Sequence, residues 1–163
     1  MNDTRIWHLV EVIKTGDWKE KLSASEELVA AGSAEVVDNL IPLLKEHNRE
    51  VRNAAALALI EIGDTKAVSP LLEAIELADE PTDQAALIYA LKSLDCSSQF
   101  LRVFTMAIAK NEETKAAAQD ILFGLGFGPK TEDIARARDI LDDARSQILL
   151  GDYLILRNYL NNM

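Results

Sequence analysis

Cysteine occurs once in this chain, as Cys96, histidine twice, as His8 and His47, and aromatic residues make up only 6% of it. A single cysteine forms no internal disulfide and has no metal-ligand spacing, so it is read as a small packed residue. Two histidines, followed by Leu9 and Asn48, complete neither a Ser-His-Asp constellation nor a metal cluster. No catalytic group, metal or cofactor is therefore expected. Scarce aromatics beside abundant Ala and Leu disfavour a strand-rich sandwich and favour tight helix-on-helix packing. Long apolar runs are missing as well. FTMAIA at 104–109 and ILLGDYLIL at 148–156, the latter broken by Gly151 and Asp152, are too short to span a bilayer. The opening MNDTRIWHLVEVIK lacks a basic leader with an unbroken apolar stretch and a small-residue cleavage site, so a cytoplasmic protein with no membrane partner is expected.

Positive charge is the remaining deficit. Seventeen basic residues face 27 acidic ones, for a net charge of −10. Such a chain repels phosphate backbones and anionic lipid, which excludes direct nucleic-acid binding, and the same field serves solubility and attracts a basic partner. With 48% apolar and 27% charged residues over 163 positions, the composition is that of one globular domain with a sizeable core.

What the chain does contain is a repeat. EKLSASEELVAAGS (20–33), VRNAAALALIEIGD (51–64), DQAALIYALKSLDC (83–96) and TKAAAQDILFGLGF (114–127) align without gaps, their starts 31, 32 and 31 residues apart. The ninth residue of each is leucine (Leu28, Leu59, Leu91, Leu122) and the twelfth is apolar (Ala31, Ile62, Leu94, Leu125). The fourth is small (Ser23, Ala54, Ala86, Ala117), and with the fifth (Ala24, Ala55, Leu87, Ala118) these positions make one helical stripe where a neighbouring helix can approach closely. The thirteenth (Gly32, Gly63, Asp95, Gly126) reads as a helix stop in the left-handed conformation.

A second helix precedes each window. Its apolar set is Ile6, Leu9, Val10 and Ile13, then Val37, Leu40, Ile41 and Leu44, then Val68, Leu71, Leu72 and Ile75, then Leu101, Phe104 and Ile108 with Thr105 as an imperfection. A fifth set, Ile134, Ala137 and Leu141, is interrupted by Arg138, so the repeat degrades toward the C-terminus. Pro42 falls inside a predicted helix and should kink it, and DEPTD at 79–83 reads as a turn with Thr82 or Asp83 as N-cap. The expected fold is all-α, a right-handed superhelix of about five helix pairs, in one domain over 1–163, with clear repeats at 18–127 and a divergent cap at 130–163.

The segment VRNAAALALIEIGDTKAVSPLLEAI at 51–75 resembles the HEAT-like repeat of the phycobilisome-lyase type through Val51-Arg52, Ala54-Ala55, Ala58-Leu59, Gly63-Asp64 and Ala67-Val68. Ile60 and Glu27 depart from it, standing where a second glycine and a small residue are usual. The resemblance implies a stack of helix pairs whose second helices line a concave face. Two enzyme classes on similar scaffolds are set aside: deoxyhypusine hydroxylases need several His-Glu pairs, and HEAT-type alkylpurine DNA glycosylases need a basic face.

Gly124, Gly126 and Gly128 in LFGLGFGPK raise the question of a phosphate loop, but a helix precedes them and no strand is evident, which is the wrong order for one. The paired acids Asp142 and Asp143 lie in TEDIARARDILDDAR and read as solvated helix-surface pairing.

The outward positions of the windows, the third, fourth, seventh and eleventh, are Leu22, Ser23, Glu26 and Ala30; Asn53, Ala54, Leu57 and Glu61; Ala85, Ala86, Tyr89 and Ser93; and Ala116, Ala117, Asp120 and Gly124. Of these, Leu22, Glu26, Asn53, Leu57, Glu61, Tyr89, Ser93 and Asp120 are the candidate partner-binding residues, an apolar anchor with an acidic rim. Trp7 and Trp18 are expected to cover the open end of the core. The expected function is non-catalytic binding of a basic protein by a monomer or weak homodimer. Short acidic proteins of this kind resemble the immunity proteins that neutralise bacterial toxins. An accessory or lyase-like subunit that takes a tetrapyrrole or other small molecule, and a scaffold or homo-oligomer, are the alternatives.

Overall fold

The computed structural model describes residues 1–78 and 81–163, with 81–83, 85 and 86 described as backbone only. The described residues form ten α-helices and no strand: α1 (Asp3–Thr15), α2 (Trp18–Ala31), α3 (Ala34–Leu40), α4 (Arg49–Ile62), α5 (Val68–Leu77), α6 (Pro81–Lys92), α7 (Phe100–Met106), α8 (Glu112–Gly124), α9 (Thr131–Asp143) and α10 (Leu150–Asn161). They divide into two compact units, Met1–Asp95 and Cys96–Met163.

The repeat is visible in where helices start. α2, α4, α6 and α8 begin at 18, 49, 81 and 112, which reproduces the 31, 32 and 31-residue spacing of the windows. Their N-caps follow the same register: Asp17, Asn48 and Asn111 each accept a first-turn backbone N–H through the side chain, and Asp17 forms a full capping box with Glu20. At the other end, Gly32 (φ 51°) and Gly63 (φ 74°) stop α2 and α4 in the left-handed conformation, where a Cβ would be strained.

The other two expected stops are corrected. α8 ends at Gly124 with Leu125 extended (φ −93°, ψ 138°), and Gly126 lies beyond it without positive φ. α6 ends at Lys92, and no described non-glycine residue has positive φ, so Asp95 is not a left-handed cap. Thr82 and Asp83 fall inside the span of α6, and any capping by their side chains lies outside the described residues, as do Asp79 and Glu80.

In the first unit α1, α3 and α5 form one layer and α2, α4 and α6 the other, with α4 touching both α2 and α6. Leu28, Leu59 and Leu91 are fully buried between the layers, as are Ile13, Leu40, Leu71 and Leu72. Pro42 acts differently from expectation. It does not kink a continuing helix: α3 stops at Leu40 and the chain tightens into a 3₁₀ turn, Ile41–Lys45, whose first turn tolerates the missing N–H.

One polar position is part of this core. The second residue of each window is Lys21, Arg52, Gln84 or Lys115, a long donor in every case. Lys21, nearly fully buried, donates to the carbonyl of Gly16, the C-cap of α1. Arg52 donates to the carbonyls of Glu46 and His47 at 2.7 and 2.8 Å, just past the 3₁₀ turn. Gln84 donates to those of Ile75 and Ala78 at 3.1 and 2.9 Å, closing α5. Carbonyls at a helix end have no partner within the helix, so in the first unit the second helix of each pair supplies a donor for the chain at the end of the first.

In the second unit α7 packs on α8 and α9, and α9 on α10. Its core holds Val103, Phe104, Ala118, Leu122, Ala137 and Leu156. The expected stripe Leu101, Phe104 and Ile108 is out of register. Phe100, Val103, Phe104 and Met106 are buried, Leu101 is half-buried, and Ile108 lies past the end of a helix that closes at Met106. Lys115 here turns to side chains, Glu112 and Asp152, both at 2.8 Å, and so ties α8 to α10. Asp142 is not simply solvated: it accepts the Tyr153 hydroxyl at 2.7 Å.

Candidate functional site

An α-helix turns 100° per residue, so residues four apart drift slowly around one face. On α4 the inward positions are Ala55 and Leu59, and the flank positions Val51, Ala54 and Ala58 are buried as well. What is left facing outward is the column Arg49, Asn53, Leu57, Glu61. The same register on α2 gives Trp18, Leu22, Glu26, Ala30; on α6 it reaches Tyr89, with Ser93 just past the helix end.

Because α2, α4 and α6 lie side by side, these columns form one surface of the first unit. It is unusually apolar for an exposed face: Trp18 is 46% exposed, Leu22 45%, Leu57 37% and Tyr89 61%. Glu26 and Glu61 are exposed on it and take part in no ion pair among the described residues, whereas Glu27, Asp38, Glu73 and Asp152 are each held by an arginine or lysine. Asn53 is half-buried between its neighbours, and Ser93 spends its hydroxyl on the Tyr89 carbonyl.

Seven of the eight candidate residues therefore belong to the first unit. Asp120 is exposed on α8 of the second.

Two of the supposed outward positions are wrong. Ala54 and Ala117 are buried, because the fourth window position points to the flank of the helix and not away from the core. Ser23, its counterpart on α2, is exposed because no second-layer helix precedes α2; the polar Glu20, Ser23 and Glu27 there finish the open side of the layer. Side chains of Ala85 and Ala86 lie outside the described residues. The tryptophans do not seal the core. Trp7 projects outward from α1 between the buried Ile6 and Leu9, and Trp18 heads the α2 column. Sequence alignment missed Trp18 as a surface residue because its window began two residues later; extending each window by one turn puts it in line with Leu22.

Glu27, the departure from the small-residue slot, has its own structural partner. Arg5 of α1 grips it through Nε at 2.8 Å and through a second guanidinium nitrogen, and this hydrogen bonding holds the Glu27 carboxyl below its usual range.

Residues 6–92, more than half of the chain, match the family model for HEAT repeats. The chain belongs to the HEAT-repeat family. The match runs from the first buried residue of α1 to the last residue of α6, so the HEAT repeats it identifies are the helix pairs of the first unit. No curated protein matches the chain. HEAT repeats commonly serve as protein-interaction modules. No helix among the described residues is long and apolar enough to cross a membrane.

Proposed function

We propose that this HEAT-repeat chain is a non-catalytic binding module that takes a basic protein on the outer face of α2, α4 and α6. The observation that carries the reading is the exposed set Trp18, Leu22, Leu57 and Tyr89 flanked by the unpaired Glu26 and Glu61. Desolvating large apolar side chains supplies affinity, and unpaired carboxylates beside them select for and steer a cation-bearing partner. A net charge of −10 extends that steering over the molecule. An inhibitory or immunity role in the cytoplasm, exercised by a monomer or weak homodimer, is the specific form of this proposal. The 31-residue register that continues from α6 to α8 supports treating 1–163 as one repeat domain.

The test is capture from lysate of the source organism on immobilised native chain, beside Leu57→Arg/Tyr89→Ala and Glu26→Lys/Glu61→Lys, with mass spectrometry of what is retained. One basic protein should be held by the native chain and lost by both variants, with affinity reduced at least ~30-fold as expected for interface anchors. Both variants should melt with the native protein, since the four residues carry little core packing. Equal retention by all three chains sinks the proposal.

A further inference from the structure

The glycine-bearing segment LFGLGFGP at 122–129 is left without a role by the binding face and by helix termination. It borders a cavity of about 400 Å³ that lies wholly within the second unit, lined by Leu122, Phe123, Leu125, Gly126, Phe127, Gly128, Pro129, Ile134, Tyr159, Asn162 and Met163. In a chain where 27% of residues are charged, none of these eleven carries a charged side chain.

The cavity has rigid aromatic walls. Phe123 and Tyr159 meet edge-on with centroids 5.3 Å apart, and Phe127 is held the same way by Phe100 at 5.7 Å. The Tyr159 hydroxyl donates to the Leu122 carbonyl at 3.0 Å, so the ring is oriented while its polar atom is already occupied. A Cβ built on Gly126 or on Gly128 would meet nothing within 4 Å, and neither glycine adopts positive φ. Glycine at these positions is therefore not required by the backbone. Both are exposed residues of the cavity lining, where a side chain would add bulk.

We infer that this cavity is a binding site for a small, uncharged, ring-bearing molecule. Its volume lies within the range of ligand pockets. An ionic ligand would lose hydration with no opposite charge in the lining to replace it, whereas a flat apolar ring finds edges and faces of Phe123, Phe127 and Tyr159. Asn162 is the one polar side chain of the lining besides Tyr159; its Nδ2 donates to the Asn158 carbonyl at 2.8 Å, which leaves Oδ1 to accept from a ring N–H or O–H. This site is independent of the face on α2, α4 and α6.

The test is saturation-transfer NMR on the full chain with indole as the neutral probe and benzoate as the charged one. Indole should bind saturably and benzoate at least tenfold more weakly. Gly126→Phe, which adds a ring at a residue of the lining without a positive-φ strain, should abolish the indole signal while circular dichroism stays native. Phe123→Ala, which removes a half-exposed wall, should weaken indole at least fivefold and serves if the first variant does not fold. Absence of saturable indole binding, equal binding of benzoate, or indole binding unchanged in a folded Gly126→Phe chain or in Phe123→Ala would overturn the assignment.

Discussion

Replacing Gln84 by methionine keeps the length and nearly the volume of the side chain and deletes its donor. Gln84 is 8% exposed and donates to both Ile75 and Ala78 at the end of α5, so water cannot readily take its place. Each neutral hydrogen bond is worth roughly 0.5–1.5 kcal/mol net, so about 2 kcal/mol is expected for the two; the Ile75 carbonyl keeps the Ala78 N–H at 3.3 Å, which holds the cost to that middle value. In a chain of this size that lowers Tm by roughly 4–8 °C, read by calorimetry or by urea titration followed with circular dichroism. The repeat supplies its own control. Arg52 does the equivalent task one repeat earlier, so Gln84→Arg, which restores a donor of similar reach, should recover most of the loss. If Gln84→Met melts within a degree of the native chain, or Gln84→Arg is as destabilised as Gln84→Met, the donor at this position does not close the preceding helix and the reasoning fails.

Leu57 and Leu59 are two residues apart on α4 and face opposite ways. Leu59→Ala opens a cavity at a fully buried site and should cost about 2–5 kcal/mol, while Leu57→Ala should stay under about 1 kcal/mol, both read from urea midpoints. Comparable losses for the two would contradict the orientation assigned to the binding face. The Arg5–Glu27 pair makes a pH-dependent contribution. Hydrogen bonding to Arg5 lowers the folded pKa of Glu27, so its stabilisation is present above the unfolded value of about 4.3 and is lost as pH falls through the lower folded value. Glu27→Gln should flatten that part of the acid-unfolding curve and leave neutral-pH melting little changed, since the pair is exposed; an acid limb identical to the native one would refute it.

Much of the fold was legible in order of residues alone, because a repeat shows the same physical problem solved several times. Leucine at the ninth position, alanine or leucine at the fifth and glycine at the thirteenth of two windows each answer a local demand of packing or chain reversal, and helix starts at 18, 49, 81 and 112 bear out the spacing. The donor at the second position was equally visible as Lys21, Arg52, Gln84 and Lys115, yet its meaning was not. Its acceptors lie on the preceding helix end, five to nine residues back in the first three repeats, and in the fourth on α10, 37 residues onward as well as on Glu112 nearby.

Which side of a helix is open depends on what stands beside it, and no single helix encodes that. Ser23 and Ala54 occupy one repeat position, but only Ala54 has a second-layer helix before it, so one is exposed and the other buried. The same dependence moved Trp18 from an expected core cover to the head of an outward column. Gly124, Gly126 and Gly128 show the limit most clearly. Sequence placed them after a helix and excluded a phosphate loop. That two of them border a cavity without charged side chains followed only from α8 and α10 meeting through Leu122, Phe123 and Tyr159, because a cavity is the space that distant parts of the chain leave between them.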